Sequence, residues 1–306
     1  MCLPCTVWIL QRAFSVCGIG AKCRTAESSD KESYVIKNMI PGEFEYQLNL
    51  QQQLSAFPNV RSVVDTVPDL NLFIYPFLAG DLLRLSQTPL PQETKIYVLQ
   101  CALHGLADMH ERGVLHNDIK ANNILVDYDE SIQGQTIINN VQISDLEDAV
   151  LVPPGKWLRG PLCGNAIWRS PESWCRSRQN QASDVFSFAI VMIYVMLNKM
   201  VFRVSDCELY ASDSWRYVLR RHISYFADEQ GLNGLLKHIG EDNPFYGQLI
   251  ALTGDFNSGN PRMPFEAWEY VDPEFRDLVG KMTNLDPTRR ITARQALEHS
   301  WFSQAI

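Results

Sequence analysis

Two short stretches of the chain carry side chains whose types and spacing suit phosphoryl transfer. Residues 116–123 read His-Asn-Asp-Ile-Lys-Ala-Asn-Asn, and the sequence Ile-Ser-Asp-Leu, which contains Asp145, follows later. The first stretch supplies a carboxylate on Asp118, an ammonium on Lys120 and an amide on Asn123. Phosphoryl transfer requires an oriented hydroxyl, metal ions and positive charge around the moving group rather than covalent help from the protein. This set of side chains therefore indicates a phosphotransfer site.

Further motifs resemble those of eukaryotic protein kinases, and they occur in the order typical of that family. Asp118 and Asn123 match the catalytic loop, and Asp145 matches the aspartate of the Asp-Phe-Gly element, written here Asp-Leu-Glu. Other matching segments are Val35-Ile36-Lys37, Ser170-Pro171-Glu172, the helix start at Asp184 and residues 286–290. Several motifs in the correct order are far more specific than any one of them.

The resemblance implies an α+β, two-lobed protein-kinase-like fold, with a small β-rich N-terminal lobe and a larger, mainly helical C-terminal lobe. We expect the N-terminal lobe to span residues 31–79 and the C-terminal lobe residues 80–306, preceded by an atypical N-terminus at 1–30. The polar segment 127–140 is expected to form an exposed insertion. The nucleotide should bind in the cleft between the lobes.

Each of the polar side chains in the two stretches then has an expected role. Asp118 would accept the proton of a substrate hydroxyl and aim its oxygen at the γ-phosphorus of ATP. Lys120 would reach the transferred phosphate. A lysine here resembles serine/threonine kinases more than tyrosine kinases, although a surface lysine is the alternative for this residue taken alone. Asn123 and Asp145 would bind Mg²⁺, which prefers hard oxygen ligands.

The resemblance also implies how the small lobe would hold the phosphates of ATP. Lys37 would contact the α- and β-phosphates and pair with a glutamate of the nearby helix, for which Glu45 is the candidate by register. Glu43 is the alternative, and an exposed helix charge is an equally good interpretation of either glutamate. The glycine loop that should cover the phosphates is degenerate, because only Gly20 falls at a family glycine when counted back from Lys37.

The segment joining the lobes resembles the adenine-binding connection of the family. By register, the backbone of Tyr75 should supply a hydrogen-bond acceptor to adenine, and the backbone of Phe77 a donor. Pro76 lies between them and lacks an amide hydrogen, but the register assigns it no donor role. Leu125 would form the floor of the adenine pocket. Ile74 would guard its back, and ordinary core packing is an equally compatible role for this residue.

Several departures from the family pattern lie near Asp145. Glu147 replaces a glycine, and we expect the substitution to favour one conformation because glycine reaches backbone angles that glutamate resists. Asn117 replaces the arginine that holds a phosphorylated loop in many kinases, and residues 148–169 contain no Ser, Thr or Tyr. We therefore expect activity without phosphorylation of this loop. Asn165 stands where serine/threonine kinases usually carry threonine, which leaves the hydroxyl class open.

Three further residues resemble structural elements of the family. Glu172 and Arg290 should form a buried ion pair that braces the large lobe. Asp184 should hydrogen-bond the backbone of the catalytic loop, with a helix cap at Ser183 or Asp184 as the alternative. Small-molecule phosphotransferases generally lack this bracing set, so its presence favours a protein kinase.

Composition narrows the class of protein further. Of the 306 residues, 46% are hydrophobic and 20% charged, which is ordinary for a soluble globular protein. The net charge of −8 argues against a general binder of nucleic acids or anionic membranes, which needs basic surface. The apolar run 185–197 is too short for a membrane span and indicates a buried helix. The eight cysteines are scattered, and we expect free thiols in a reducing, intracellular compartment, cytoplasmic or nuclear.

Three functions agree with these observations. The first is an ATP- and Mg²⁺-dependent protein kinase that phosphorylates Ser or Thr of protein substrates. The second is a catalytically weak or inactive pseudokinase that acts as a scaffold or allosteric partner, which the degenerate glycine loop and Glu147 favour. The third is a small-molecule kinase. The first is preferred because all the metal and lysine positions are filled, whereas pseudokinases commonly lose one of them.

Overall fold

The computed structural model describes residues 9–15, 22–28, 31–130 and 136–303. The N-terminal part is built mainly from strands and the C-terminal part mainly from helices, with short strands where the two parts meet. This is the α+β, two-lobed architecture predicted from the sequence.

The N-terminal part contains a five-stranded antiparallel sheet with strand order β1-β2-β3-β5-β4. Its strands are β1 (Ile9–Ser15), β2 (Lys22–Glu27), β3 (Ser33–Asn38), β4 (Asp65–Val67) and β5 (Leu72–Pro76). Helix α1 (Phe44–Leu54) packs on one face, where the rings of Phe44 and Phe73 meet edge to face at 4.8 Å. Side chains alternate along a strand, so Ile74 packs on the opposite face with Ile36.

Short strands line the junction between the two parts. They are β6 (Gly80–Asp81), β7 (Val114–Leu115), β8 (Ile124–Glu130), β9 (Thr136–Ile143) and β10 (Val150–Leu151), which pair as β6-β8-β9 and β7-β10. The segment 127–140, predicted to be an exposed insertion, is partly exposed as expected, at Asp129, Ile137, Asn139 and Asn140, but it is strand rather than an insertion. The segment continues the β8–β9 hairpin, in which Tyr128 pairs with Ile138, and both side chains pack against the core.

Helices build the C-terminal part around one large apolar core. They are α2 (Leu82–Leu85), α3 (Gln92–Glu111), α4 (Pro171–Trp174), α5 (Gln181–Leu197), α6 (Asp206–Leu209), α7 (Ser214–Phe226), α8 (Glu229–Ile239), α9 (Phe245–Thr253), α10 (Pro273–Met282), α11 (Ala293–Leu297) and α12 (Ser300–Ser303). In the part of the chain that the structure describes, no helix is long and apolar enough to cross a membrane.

Helix α5 forms the centre of this core and confirms the interpretation of its apolar run as a buried helix. Every residue of the helix from Ser183 to Val195 is buried. The helix begins one turn earlier than expected, because the side chain of Asn180 accepts a hydrogen bond from the backbone of Ala182 and caps it. The predicted cap at Ser183 or Asp184 is therefore wrong, and both side chains are free to form contacts elsewhere.

Candidate active site

The catalytic loop follows strand β7 and is held from below by Asp184. The carboxylate of Asp184 accepts hydrogen bonds from the backbone amides of His116 (2.7 Å) and Asn117 (3.0 Å), and it also contacts Nε2 of His110 at 3.0 Å. His116 is buried, accepts from the Asp118 amide at Nδ1 (3.2 Å) and lies 2.9 Å from the Ser144 carbonyl through Nε2. The predicted role of Asp184 beneath the catalytic loop is confirmed.

Asn117 gives the loop its turn. Its φ is 68°, in the left-handed region, which asparagine tolerates better than most residues. Its side-chain amide donates to the carbonyl of Asp148 at 2.9 Å. The residue that replaces the phosphate-binding arginine thus connects the catalytic loop directly to the following segment.

The carboxylate of Asp118 is contacted by three groups. Its Oδ2 lies 2.6 Å from Nζ of Lys120 and accepts from Nδ2 of Asn123 at 3.1 Å, while its Oδ1 accepts from the backbone amide of Asn165 at 3.0 Å. The side chain of Asp118 is 11% exposed. These contacts fix the direction of the carboxylate while one edge of it faces solvent. The carbonyl of Asn117 passes so close to Gly164 that a Cβ there would lie 2.6 Å from its oxygen, so only glycine fits.

Lys37 and Asp145 meet on the other side of the cleft. Nζ of Lys37 lies 2.5 Å from Oδ1 of Asp145 and also forms an ion pair with Oε1 of Glu147. Asp145 is connected to the catalytic loop through its neighbour, because the Ser144 amide donates to the carbonyl of Asn123 at 2.8 Å. Lys37 and Asp145 therefore line one pocket, and Asp118 and Asn123 lie on the loop to which this hydrogen bond joins it.

The ion cluster of Lys37, Asp145 and Glu147 shifts the pKa of each of its members. Burial alone would raise the pKa of Asp145, but the hydrogen bond with Glu147 and the charge of Lys37 hold it well below its usual range. Burial, followed by the hydrogen bond to Asp145, raises the pKa of Glu147 above its usual range. Burial opposes the charged form of Lys37, yet the two carboxylates raise its pKa above the ordinary value. Lys37 and Asp145 are therefore charged at neutral pH.

The predicted pairing of Lys37 with Glu45 requires correction. Helix α1 begins at Phe44, and both Glu45 and Glu43 are exposed. The buried polar residues of the helix, Gln47 and Gln51, are one turn apart, because residues i and i+4 share a helix face. The helix thus presents amides rather than a carboxylate to the cleft, and the carboxylate that reaches Lys37 comes from Glu147.

Tyr75, rather than Ile74, lies at the back of the cleft. Its ring shares the sheet face of Lys37, and its hydroxyl donates to Oε1 of Gln51 at 3.1 Å. The guanidinium of Arg61 lies 4.7 Å from the centre of the ring. Burial raises the pKa of the Tyr75 hydroxyl to about 12, so it remains a donor. The prediction that Ile74 guards the pocket is wrong by one residue. Successive side chains of a strand point to opposite faces, so Tyr75 faces the pocket and Ile74 faces away from it.

The backbone donor expected to bind adenine is already engaged in a hydrogen bond within the protein. The amide of Phe77, the predicted donor, donates to the carbonyl of Ser33 at 3.0 Å, and Tyr75 pairs with Val35 in the β3–β5 ladder. Adenine would have to displace the Ser33 contact to use the Phe77 donor. Leu125 is half-buried between the fully buried Ile124 and Val126, and alternation along β8 turns it away from the core. Gly20, the candidate in the glycine loop, lies outside the described residues.

The segment 148–169 is held in place by contacts that involve no phosphate. Strand β10 pairs with β7, and Leu158 exchanges two backbone hydrogen bonds of 2.8 Å with Gln179. The indole of Trp157 lies 4.6 Å from the ring of His238. Near Asp118, the guanidinium of Arg169 donates to the carbonyl oxygens of Cys163 and Gly164. These contacts agree with the absence of phosphate acceptors in the segment.

The ion pair between Glu172 and Arg290 is confirmed. Two nitrogens of the Arg290 guanidinium donate to the two carboxylate oxygens of Glu172 at 2.6 and 2.7 Å, and both side chains are fully buried. Ser183, which is not a helix cap, donates from Oγ to the same carboxylate at 2.6 Å. Burial alone would raise the pKa of Glu172, but Arg290 and Ser183 lower it to about 2.

The gathered donors suit Mg·ATP chemically. Asn123 uses its side-chain nitrogen on Asp118, which leaves its amide oxygen as an acceptor. That oxygen and the carboxylate of Asp145 are hard ligands of the kind Mg²⁺ takes, and Lys37 carries the charge that would neutralise phosphate. Sequence reasoning missed Glu147 and Gln51 as cleft residues, and it missed Gln47 as the side chain that donates to the Glu147 carbonyl. The i, i+4 spacing of the two glutamines was the available signal for the helix face.

The fold has a strand-rich part and a helical part, and where they meet lie a His-Asn-Asp loop, a strand lysine and an Asp-Leu-Glu segment. These features define the kinase class of fold. The chain belongs to the protein kinase domain family, whose sequence profile matches residues 21–302.

Several curated kinases are similar to the chain at low identity. It is 26% identical over 269 residues to ribosomal protein S6 kinase 2 alpha of Gallus gallus, covering 84% of this chain and 29% of that protein. It is 24% identical over 253 residues to serine/threonine-protein kinase GIN4 of Saccharomyces cerevisiae, covering 81% and 18%. For Aurora kinase of Eremothecium gossypii the identity is 25% over 209 residues, covering 68% and 41%. The chain thus spans less than half the length of each of these relatives.

Proposed function

We propose that this chain is an ATP-dependent protein kinase that transfers the γ-phosphate of Mg·ATP to Ser or Thr hydroxyls of protein substrates. The observation that carries the proposal is the carboxylate of Asp118. It is fixed by Lys120, Asn123 and the Asn165 amide. Its loop is also hydrogen-bonded, through the Asn123 carbonyl, to the residue before Asp145, which Lys37 contacts.

In this proposal Asp118 accepts a hydrogen bond from the substrate hydroxyl and orients its oxygen for attack. Lys120, 2.6 Å from that carboxylate, neutralises charge on the phosphoryl group as it passes. Asn123 and Asp145 would hold Mg²⁺, which neutralises the phosphate charge when bound. Lys37 would exchange a carboxylate contact for the phosphates of ATP.

The preference for Ser or Thr is supported by two observations. Lys120 stands two residues after Asp118, as in serine/threonine kinases, and one curated relative is named as a serine/threonine-protein kinase. Asn165 reaches Asp118 through its backbone amide, so the side chain that usually carries a threonine hydroxyl is not used for this contact. An intracellular location is supported by the free cysteines at 101, 163, 175 and 207 among the described residues.

A pseudokinase is the second candidate, and two observations favour it. The ammonium of Lys37 is already held by Asp145 and Glu147, and the Phe77 amide is engaged with Ser33. A cleft in which these two donors are paired internally would suit a scaffold that binds nucleotide weakly. Catalysis is preferred because Asp118, Asn123 and Asp145 keep the arrangement that phosphoryl transfer requires.

The test is phosphate transfer from γ-labelled Mg·ATP to a library of Ser, Thr and Tyr peptides, with a panel of small metabolites assayed in parallel. We expect labelled Ser or Thr peptides, no labelled metabolites, and loss of labelling in Asp145→Asn. The control Asp242→Asn changes an exposed carboxylate of the helical part and should leave labelling intact. Labelled metabolites without labelled peptides would contradict the proposal, and so would an absence of any labelling in the unmodified chain.

A further inference from the structure

The ammonium of Lys37 is held by two carboxylates of a single three-residue segment. Asp145 and Glu147 both contact Nζ, and the Lys37 side chain is only 14% exposed. Glu147 occupies the position at which the family places glycine. Its backbone lies in the short 3₁₀ turn Leu146–Asp148 and has a negative φ, so the angles that only glycine reaches are not used here. The expected conflict between glutamate and the backbone at this position is therefore absent.

Helix α1 supports this segment without contacting Lys37 through a charge. Gln47, which is 1% exposed, donates from Nε2 to the backbone carbonyl of Glu147 at 3.0 Å. Its Oε1 is buried and has no hydrogen-bond partner among the described residues. A buried amide oxygen without a donor is costly. A glutamate here would keep this oxygen and replace the donating Nε2 by a second oxygen, which cannot donate to the Glu147 carbonyl. The helix position is therefore compatible in size with a glutamate but carries no charge.

We propose that Glu147 is a positioning residue that fixes Lys37 for the phosphates of a bound nucleotide, and that it performs here the task for which the family uses a glutamate of helix α1. Gln47 then acts on Lys37 through Glu147, by holding the Glu147 carbonyl. The orientation of Lys37 follows the Asp145–Glu147 segment and not the helix. The inference rests on the proposed nucleotide-dependent function, but it concerns binding of the phosphates and not transfer.

The inference predicts that a pair of substitutions is non-additive. Glu147→Gln should weaken binding of Mg·ADP, and raise the KM for ATP, by about tenfold, because Lys37 loses the carboxyl group that contacts its Nζ beside Asp145. Gln47→Glu in the unmodified chain should also weaken binding, because it replaces the amide that donates to the Glu147 carbonyl by an acceptor. In the Glu147→Gln background, the same Gln47→Glu change should cost little further affinity, because Gln47 acts on Lys37 through Glu147.

The experiment measures Mg·ADP affinity by calorimetry, and KM and kcat for ATP, for the four proteins of this cycle. Thermal unfolding of each variant shows whether it is folded. Glu147→Gly, which installs the family residue, is the second variant if Glu147→Gln unfolds. Gln53→Glu adds the same charge on the exposed face of α1 and should change neither quantity. A merely structural Glu147 would shift the thermal stability of Glu147→Gln and leave its Mg·ADP affinity unchanged.

The outcomes separate this inference from the proposed kinase function. Equal Mg·ADP affinities of Glu147→Gln and of the double variant, both below that of the unmodified chain, support the role of Glu147 with or without turnover. The same result without turnover in any of the proteins would contradict catalysis alone. Turnover with additive effects of the two substitutions would overturn the role of Glu147 and leave the kinase function standing. Absence of Mg·ADP binding by the unmodified chain would overturn both.

Discussion

Two ion clusters, one in the helical part and one in the cleft, differ in their stoichiometry and in their access to solvent. In the helical part, one guanidinium meets one carboxylate, Arg290 on Glu172, with two hydrogen bonds and no exposed side-chain surface. In the cleft, one ammonium meets two carboxylates, Lys37 on Asp145 and Glu147, whose side chains are 33% and 24% exposed.

The difference indicates different tasks. A closed, bidentate pair has no capacity for a further ligand, and breaking it leaves a buried charge without a partner. A cluster with excess carboxylate and an open side can exchange one ammonium contact for a phosphate and one carboxylate contact for a metal ion. The helical part keeps the ion pair of Glu172 and Arg290 that the resemblance implied. In the cleft, the expected partner of Lys37 was Glu45, but the carboxylate that reaches it belongs to Glu147. We infer that the brace contributes to stability and that the cleft cluster binds ligands.

The largest effect on stability is expected at the brace. Arg290→Met should lower the free energy of unfolding by about 3–5 kcal/mol, because it leaves Glu172 buried and unpaired. Urea unfolding measures this change, and Arg289→Met, at the exposed neighbouring position, should cost less than about 0.5 kcal/mol. A loss below about 1 kcal/mol at Arg290 would show that the pair does not brace the fold.

The second effect depends on pH and also lies in the helical part. His222 is buried between the carbonyl oxygens of Val218 and Arg169 and stacks on Phe202, and burial lowers its pKa to about 4. Because the unfolded chain binds this proton near pH 6.5 and the folded chain only near pH 4, stability is full above pH 6.5. It should fall by roughly 3 kcal/mol as the pH drops to 4.

His222→Phe isolates this contribution. The variant should lose this part of the acid sensitivity between pH 6.5 and 4, as measured by urea unfolding at a series of pH values. His104→Phe, at an exposed histidine, should retain the full slope. Equal slopes in His222→Phe and the unmodified protein would contradict the assignment.

A smaller effect is expected at the back of the cleft. Tyr75→Phe removes the hydrogen bond to Gln51 and should lower the free energy of unfolding by about 1 kcal/mol. Nucleotide affinity should stay within about twofold, because the Tyr75 hydroxyl bonds to helix α1 and not to Lys37 or Asp145. Tyr210→Phe, at a strongly exposed tyrosine, is the matched control. A large loss of affinity in Tyr75→Phe would place its hydroxyl among the nucleotide contacts.

Phosphatase treatment is expected to have no effect on activity, which makes it the smallest of the predicted effects. The segment 148–169 carries no Ser, Thr or Tyr and is held by strand β10, Leu158 and Trp157. Activity should therefore survive phosphatase, assayed on protein whose phosphorylation state is checked by mass spectrometry. Loss of activity that maps to a phosphate within residues 148–169 would contradict this account of the segment.

The sequence predicts the helical part better than the cleft, for a physical reason. The pairs of Glu172 with Arg290 and of Asp184 with the catalytic loop depend on single side chains in dense packing, and the order of the motifs locates them. In the cleft, placement depends on register. An error of one residue along β5 assigned to Ile74 the position that Tyr75 occupies. An error of two residues along α1 assigned to Glu45 the inward position that Gln47 occupies. Nothing in the sequence indicates that Glu147 turns towards Lys37, because that contact joins two elements far apart in the chain.

The most direct test of the central claim is a single-turnover measurement on Asp118→Asn beside the unmodified chain, with Mg·ADP affinity measured on both. Our account predicts that phosphate transfer to a Ser or Thr peptide falls by about 10²–10⁴ in the variant while the two proteins bind Mg·ADP equally. Equal rates of transfer in the two proteins would contradict the account, because Asp118 would then have no part in the chemistry.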